Sequence, residues 1–203
     1  MWRSLIAGVA VLGAGVLTAT YLLTGRRRAF RRGLIVGDSL VAAPVFTQTL
    51  EQLTGIPWDN VAIVGKGSRA IDLQVQQSLR SGEHDVLVIS AGTNDGAGAL
   101  ATTQQNLRSI VARGKTAGAF VVLMSEPPLR AYRGSNAAGI ARSEASGRWT
   151  MGGGSRADRV VSLYQVLGGD DFSILSEYNG GDGLHPNSAG RVAMAQAVAR
   201  AMR

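Results

Sequence analysis

From residue 33 onward, short unbroken apolar runs alternate with longer stretches whose apolar residues recur at helical spacing, and few folds accept that pattern. Leu34-Ile35-Val36, Val61-Ala62-Ile63-Val64, Val86-Leu87-Val88-Ile89 and Phe120-Val121-Val122-Leu123-Met124 read as strands. Because every position in such a run is apolar, the runs suit strands covered on both faces. Between them, residues 39–53 (with Gly55 as the stop), 70–79 and 99–117 read as helices. Pro127-Pro128 ends the fourth run. Residues 129–155 are rich in Gly, Ser, Arg and Ala and contain Tyr132 and Trp149, which predicts an irregular excursion or a lid. A helix over 157–167, a short strand over 172–175 and an amphipathic helix over 188–202 complete the expectation. Strands alternating with helices predict an α/β fold, a mostly parallel sheet with helices on both faces. Ligands of such sheets bind outside the carboxyl ends of the strands. The strand-end residues are therefore the informative ones: Gly37-Asp38-Ser39, Gly65-Lys66-Gly67 and Gly92-Thr93-Asn94-Asp95.

Ahead of this region, residues 4–23 carry no charge over 20 positions. As a helix that run is about 30 Å long, the thickness of a bilayer core. Tyr21 near one end suits the interface, and the GRRRAFRR that follows suits lipid headgroups. The expectation is a transmembrane anchor over 1–25, a basic juxtamembrane segment over 26–32 and a globular domain over 33–203. A cleaved signal peptide fits less well, because the apolar run is long and only Arg3 precedes it. Five arginines follow the run and one precedes it, which places the domain on the cytoplasmic side; the periplasmic or extracellular side is the alternative. The net charge of +7 resides in this segment: residues 1–32 hold six arginines and no acid, and the rest holds 15 Lys+Arg against 14 Asp+Glu. A nearly neutral domain exerts little pull on a polyanion, so a nucleic-acid partner is not expected. With no cysteine, a disulfide, a thiolate zinc site and a cysteine nucleophile are all excluded.

Three strand ends and one C-terminal turn carry residues suited to chemistry. Ser39 follows a buried run and precedes a helix, where its hydroxyl can face the crevice; helix capping is its bland alternative. Asn94 can present its side-chain amide to a developing oxyanion, or can simply make a turn. Gly67 lets backbone approach a reacting carbonyl and offers an N–H, with Gly65 as a competing candidate. Asp182-Gly183-Leu184-His185-Pro186-Asn187 sets an aspartate three residues before a histidine in a tight turn. There the carboxylate can reach the imidazole Nδ1, leaving Nε2 free to take a serine proton. Of the two histidines, His84 reads as a solvated loop residue. Asp38 and Asp95 read as structural carboxylates that order their turns.

GDSL at 37–40, a glycine block, GTND at 92–95 and DGLHPN at 182–187 together resemble the GDSL-type hydrolases, or SGNH hydrolase family. The resemblance runs from about Gly33 to the C-terminus. It implies a flavodoxin-like three-layer α/β/α sandwich that needs no metal and no cofactor. It also implies Ser39 as nucleophile, Asp182 and His185 as its acid and base partners, and an oxyanion hole built from the Ser39 N–H, Gly67 and Asn94. The glycine block departs from the commoner pattern, in which an Asn precedes the glycine by a few residues. The expected function is that of a serine esterase or lipase acting through an acyl-enzyme on a small ester, a lipid or an acylated glycan. Alternatives are a membrane-bound binding or assembly module that keeps the fold without catalysis, or an O-acyl or acetyl esterase or transferase on envelope polysaccharide.

Overall fold

β-branched and leucine-rich runs between helices assemble into one five-stranded parallel sheet in the computed structural model, which describes residues 29–169 and 171–203. The strands are β1 (Gly33–Val36), β2 (Trp58–Asn60), β3 (Val86–Ser90), β4 (Phe120–Met124) and β5 (Arg159–Val161). Their order across the sheet is β2-β1-β3-β4-β5. The described residues also form the α-helices α1 (Pro44–Thr54), α2 (Ser68–Ser78), α3 (Leu100–Thr116), α4 (Ala137–Met151), α5 (Leu163–Leu167) and α6 (Ser188–Ala201). Residues Phe30–Met202 form one compact unit.

Side-chain alternation along the strands splits the core into two halves. Ile35, Val88, Val122 and Met124 pack with Phe46 and Leu50 of α1 and with Met194 and Val198 of α6. Leu34, Val36, Leu87, Ile89, Val121 and Leu123 pack with Ile71 and Val75 of α2 and with Leu107, Ile110 and Val111 of α3. The result is the three-layer α/β/α sandwich expected from the alternation. β1 lies between β2 and β3, so the chain reverses direction across the sheet at its carboxyl end. A crevice opens at such a switch point.

Several expected elements differ from those observed. The second strand is Trp58–Asn60, not 61–64. Val61 and Ile63 still donate backbone hydrogen bonds to Ile35 and Gly37 of the β1 segment. Yet Ile63 and Val64 are 48% and 69% exposed, so the apolar run turns outward where a buried strand was expected. The first helix begins at Pro44 rather than at 39, because a proline drives the preceding residue, Ala43, into an extended conformation. Residues 157–167 are not one helix. The Val121 N–H donates to Asp158 and the Ser125 N–H to Val161, pinning Arg159–Val161 beside β4 as a strand. Ser162 then caps the short α5 by accepting from the Gln165 N–H. Residues 172–175 form only an isolated antiparallel bridge, Gly168 to Ile174. Within 129–155, expected to be irregular, Asn136 caps a 15-residue helix, α4. His84 is buried, not solvated: it is 4% exposed, with Nε2 2.8 Å from Asp59 Oδ2.

No helix among the described residues is long and apolar enough to cross a membrane. The expected anchor over 1–25, and the basic segment as far as residue 28, lie outside the described residues. Arg31 and Arg32, expected among lipid headgroups, are paired to the domain itself, with Asp85 and Asp59 respectively.

Candidate active site

Ser39 sits in a one-turn bend directly after β1, where the Val41 and Ala42 N–H groups both donate to the Asp38 carbonyl. Gly37 makes the bend possible. A Cβ there would stand 2.8 Å from the Ser90 carbonyl oxygen of β3, closer than real Cβ atoms approach. Far along the chain, Asn187 caps α6 by accepting from the Gly190 N–H and donates to the Glu177 and Asn179 carbonyls. His185 lies two residues before that rigid cap. The sheet thus brings together two side chains 146 positions apart, with Ser39 Oγ 2.9 Å from His185 Nε2.

Asp182 completes the line. Its Oδ2 is 2.5 Å from His185 Nδ1, and its Oδ1 accepts from the Leu184 and His185 backbone N–H groups at 2.9 and 2.8 Å. A carboxylate can only accept, so Nδ1 carries the ring proton and Nε2 is left to accept from Ser39. Partial burial pushes the Asp182 carboxyl up, but the His185 ring and the two backbone N–H groups together outweigh it. They hold the carboxyl down to about 2.

The other strand-end residues converge on the same crevice. Asn94 lies in a short 3₁₀ turn, Thr93–Asp95, just past β3. Its Nδ2 donates to Asp38 Oδ2 at 3.4 Å and to the Lys66 carbonyl at 3.2 Å. Gly67 is the residue before α2, and a Cβ on it would stand 2.7 Å from Asp95 Oδ1 and 3.6 Å from the Asn94 carbonyl oxygen. A Cβ on Gly65 would meet nothing within 4 Å, so of the two glycines only Gly67 has its Cβ direction closed by the Asn94 turn. The Ser39 and Gly67 N–H groups have no acceptor among the described residues. Beside Gly67 a cleft of about 460 Å³ opens between the N-terminal ends of α2 and α3, lined in part by Arg69, Leu73, Ala99 and Thr102.

Both structural carboxylates hold turns, as their positions suggested. Asp95 accepts from the Ser68 N–H, the Ser68 hydroxyl and the Thr103 hydroxyl, fastening the Asn94 turn to α2 and α3. Asp38 is fully buried and accepts from the Leu40 N–H, the Ser90 hydroxyl and the Asn94 amide. Burial raises its carboxyl to about 6, against the lowering effect of the Leu40 and Ser90 hydrogen bonds. Two residues with no sequence signal also adjoin the site: Glu126 just past β4 and Arg142 on α4, both buried and paired at 2.7 and 2.8 Å. Only the placement of an acid at a strand's carboxyl end could have drawn attention to Glu126.

The model of the GDSL-like lipase/acylhydrolase family matches residues 35–193, which include every residue of this constellation. The chain belongs to that family. Solved structures share its fold. A GDSL-like lipase from Bacteroides thetaiotaomicron superposes with a TM-score of 0.70 at 22% identity, over 85% of this chain and 87% of its own. A lipase/acylhydrolase from Enterococcus faecalis gives 0.68 at 19%, over 84% and 94%. A catalytic mutant of an acetylxylan esterase from Geobacillus stearothermophilus gives 0.67 at 17%, over 85% and 94%. At these identities the likeness is one of fold. No curated protein matches the chain.

Proposed function

We propose that this GDSL-family chain is a serine ester hydrolase in which Ser39 is the nucleophile, His185 the general base and acid, and Asp182 the group that orients the imidazole. The observation that carries the reading is the unbroken line of hydrogen bonds from Ser39 through His185 to Asp182, at 2.9 and 2.5 Å. Ser39 Oγ attacks an ester carbonyl while Nε2 takes the hydroxyl proton, and Asp182 stabilises the imidazolium that forms. The carbonyl oxygen, now an oxyanion, accepts from the unpaired Ser39 and Gly67 N–H groups and from Asn94 Nδ2. The two bonds that Nδ2 makes are long, at 3.4 and 3.2 Å, so one N–H can turn to the oxyanion as charge develops. Collapse of the tetrahedral species passes the proton to the leaving alkoxide and leaves an acyl-Ser39 ester. Water, deprotonated by His185, then releases the acid and restores the hydroxyl.

The substrate class is a small ester, a lipid or an acylated glycan, with the cleft beside Gly67 as room for part of it. The uncharged run over 4–23 and the arginines after it support a membrane anchor with the domain on the cytoplasmic side. One experiment tests both parts. Permeant and impermeant fluorophosphonate probes are applied to intact cells, and turnover of nitrophenyl acetate is measured on purified wild type and Ser39→Ala. Labelling by the permeant probe alone, abolished together with turnover in Ser39→Ala, is expected. Turnover that survives the substitution overturns the catalytic assignment, and labelling by the impermeant probe overturns the orientation.

A further inference from the structure

Asn94 hangs between two flexible points. Gly92 has φ +111° and Gly96 has φ +59°, conformations that glycine adopts freely and other residues rarely do. Asp95 ties the Thr93–Asp95 turn to α2 and α3, but those bonds do not reach the carbonyls of the two flanking glycines. One side chain spans both ends. Arg142 of α4 donates from Nε to the Gly96 carbonyl at 2.6 Å and from a terminal nitrogen to the Gly92 carbonyl at 3.1 Å. Its guanidinium is in turn held by both oxygens of Glu126, at 2.8 and 2.7 Å. The pair lies out of water, with side chains 5% and 1% exposed. Glu126 also lies against Gly92, where a Cβ would stand 2.7 Å from its Oε1.

A buried ion pair is a poor way to gain stability, because desolvating both charges offsets most of their attraction, and an apolar pair of similar volume often does as well. A planar guanidinium does offer what an apolar pair cannot, several donors in a fixed fork. Here that fork grips two carbonyls four residues apart. From this geometry we infer that Arg142, backed by Glu126, is a positioning residue for the oxyanion donor, acting on turnover through Asn94 rather than by touching substrate. The inference rests on the esterase reading above and assigns a catalytic purpose to the 129–155 segment. A donor displaced by about 1 Å can lose a hundredfold in rate, so a clamp on a glycine-hinged turn has a large effect available to it.

The test is a double-mutant cycle in full-length protein with nitrophenyl acetate, using Arg142→Lys and Asn94→Ala singly and together, with Ser39→Ala as the control. Lysine keeps the charge opposite Glu126 but cannot reach both carbonyls from one nitrogen with a fork's geometry. The expected result is a kcat reduced tenfold or more in Arg142→Lys with KM within twofold of wild type, and less than a twofold further effect of Arg142→Lys once Asn94 is alanine. Equal effects in the two backgrounds, or a change confined to KM, overturn the inference and leave the esterase reading standing. Wild type with no Ser39-dependent turnover overturns the esterase reading, and the inference with it. Should Arg142→Lys not fold, Glu126→Gln carries the same cycle. Failure of both variants to fold makes the pair a requirement of the core and overturns the positioning role.

Discussion

Replacing Asp182 by asparagine should disable the site while leaving its shape intact, and the geometry sets how severely. Asp182 Oδ1 accepts from two backbone N–H groups, those of Leu184 and His185. An asparagine must put its carbonyl oxygen there, because an amide NH₂ would face two donors. Its NH₂ then takes the place of Oδ2, 2.5 Å from His185 Nδ1 in the native site. A donor in that position forces Nδ1 to become the acceptor and moves the ring proton to Nε2. That nitrogen lies 2.9 Å from Ser39 Oγ and would now donate to the hydroxyl instead of accepting from it. The general base is lost, and so is the charge opposite the imidazolium. In a serine–histidine–aspartate site, replacing the aspartate by asparagine reduces kcat by about 10⁴, or about 5 kcal/mol of barrier. We expect a kcat loss of ~10³ to 10⁴ for Asp182→Asn, with KM unchanged and thermal unfolding nearly unshifted because both backbone bonds survive. Steady-state hydrolysis of nitrophenyl acetate, alongside a melting curve, measures both. A loss smaller than tenfold in a folded variant would refute the view that Asp182 sets the His185 tautomer.

Asp38→Asn should alter how stability depends on pH. The buried carboxyl is raised from 3.8 to about 6, so the folded protein holds that proton more tightly than the unfolded chain does. The resulting stabilisation is full below about pH 4 and is lost as pH rises through about 6, a change on the order of 3 kcal/mol. Urea unfolding of both proteins at pH 4.5 and 7.5 should show wild type losing ground to the variant as pH rises; a constant difference would exclude the linkage. Gly67→Ala sets a methyl 2.7 Å from Asp95 Oδ1, an oxygen already held by the Ser68 N–H. Overpacking of this kind typically costs about 1–3 kcal/mol. Both a lower melting temperature and a reduced kcat are expected, and an unchanged kcat would remove Gly67 from the proposed oxyanion hole.

The alternation of apolar runs and helical stretches was enough to specify an α/β sandwich with a parallel sheet, because strands buried on both faces leave a continuous hydrophobic trace. The same trace misled where apolar residues were not buried. Ile63 and Val64 look like a strand and stand in solvent, and Trp58–Asn60, which pairs with β1, has only one large apolar residue. Valines 160 and 161 fitted a helical spacing until Asp158 and Ser125 tied them to β4. Ser39, Asn94, Asp182 and His185 were legible from short motifs, since each needs particular neighbours on its own turn, and the Asp182 to His185 contact is local in the chain.

What the sequence alone determined about this protein was the layer architecture, the separate basic and uncharged N-terminal segment, and the candidate residues for the proposed chemistry. Only the tertiary structure decided that Ser39 and His185 meet across 146 positions, that Gly67 rather than Gly65 has its Cβ direction closed by the Asn94 turn, and that Glu126 and Arg142 adjoin that turn. Periodicity and turn chemistry act over a few residues and leave a mark in the sequence. Side chains from different strand ends share a site only through the order in which the strands pair, and that order is settled by packing the whole core.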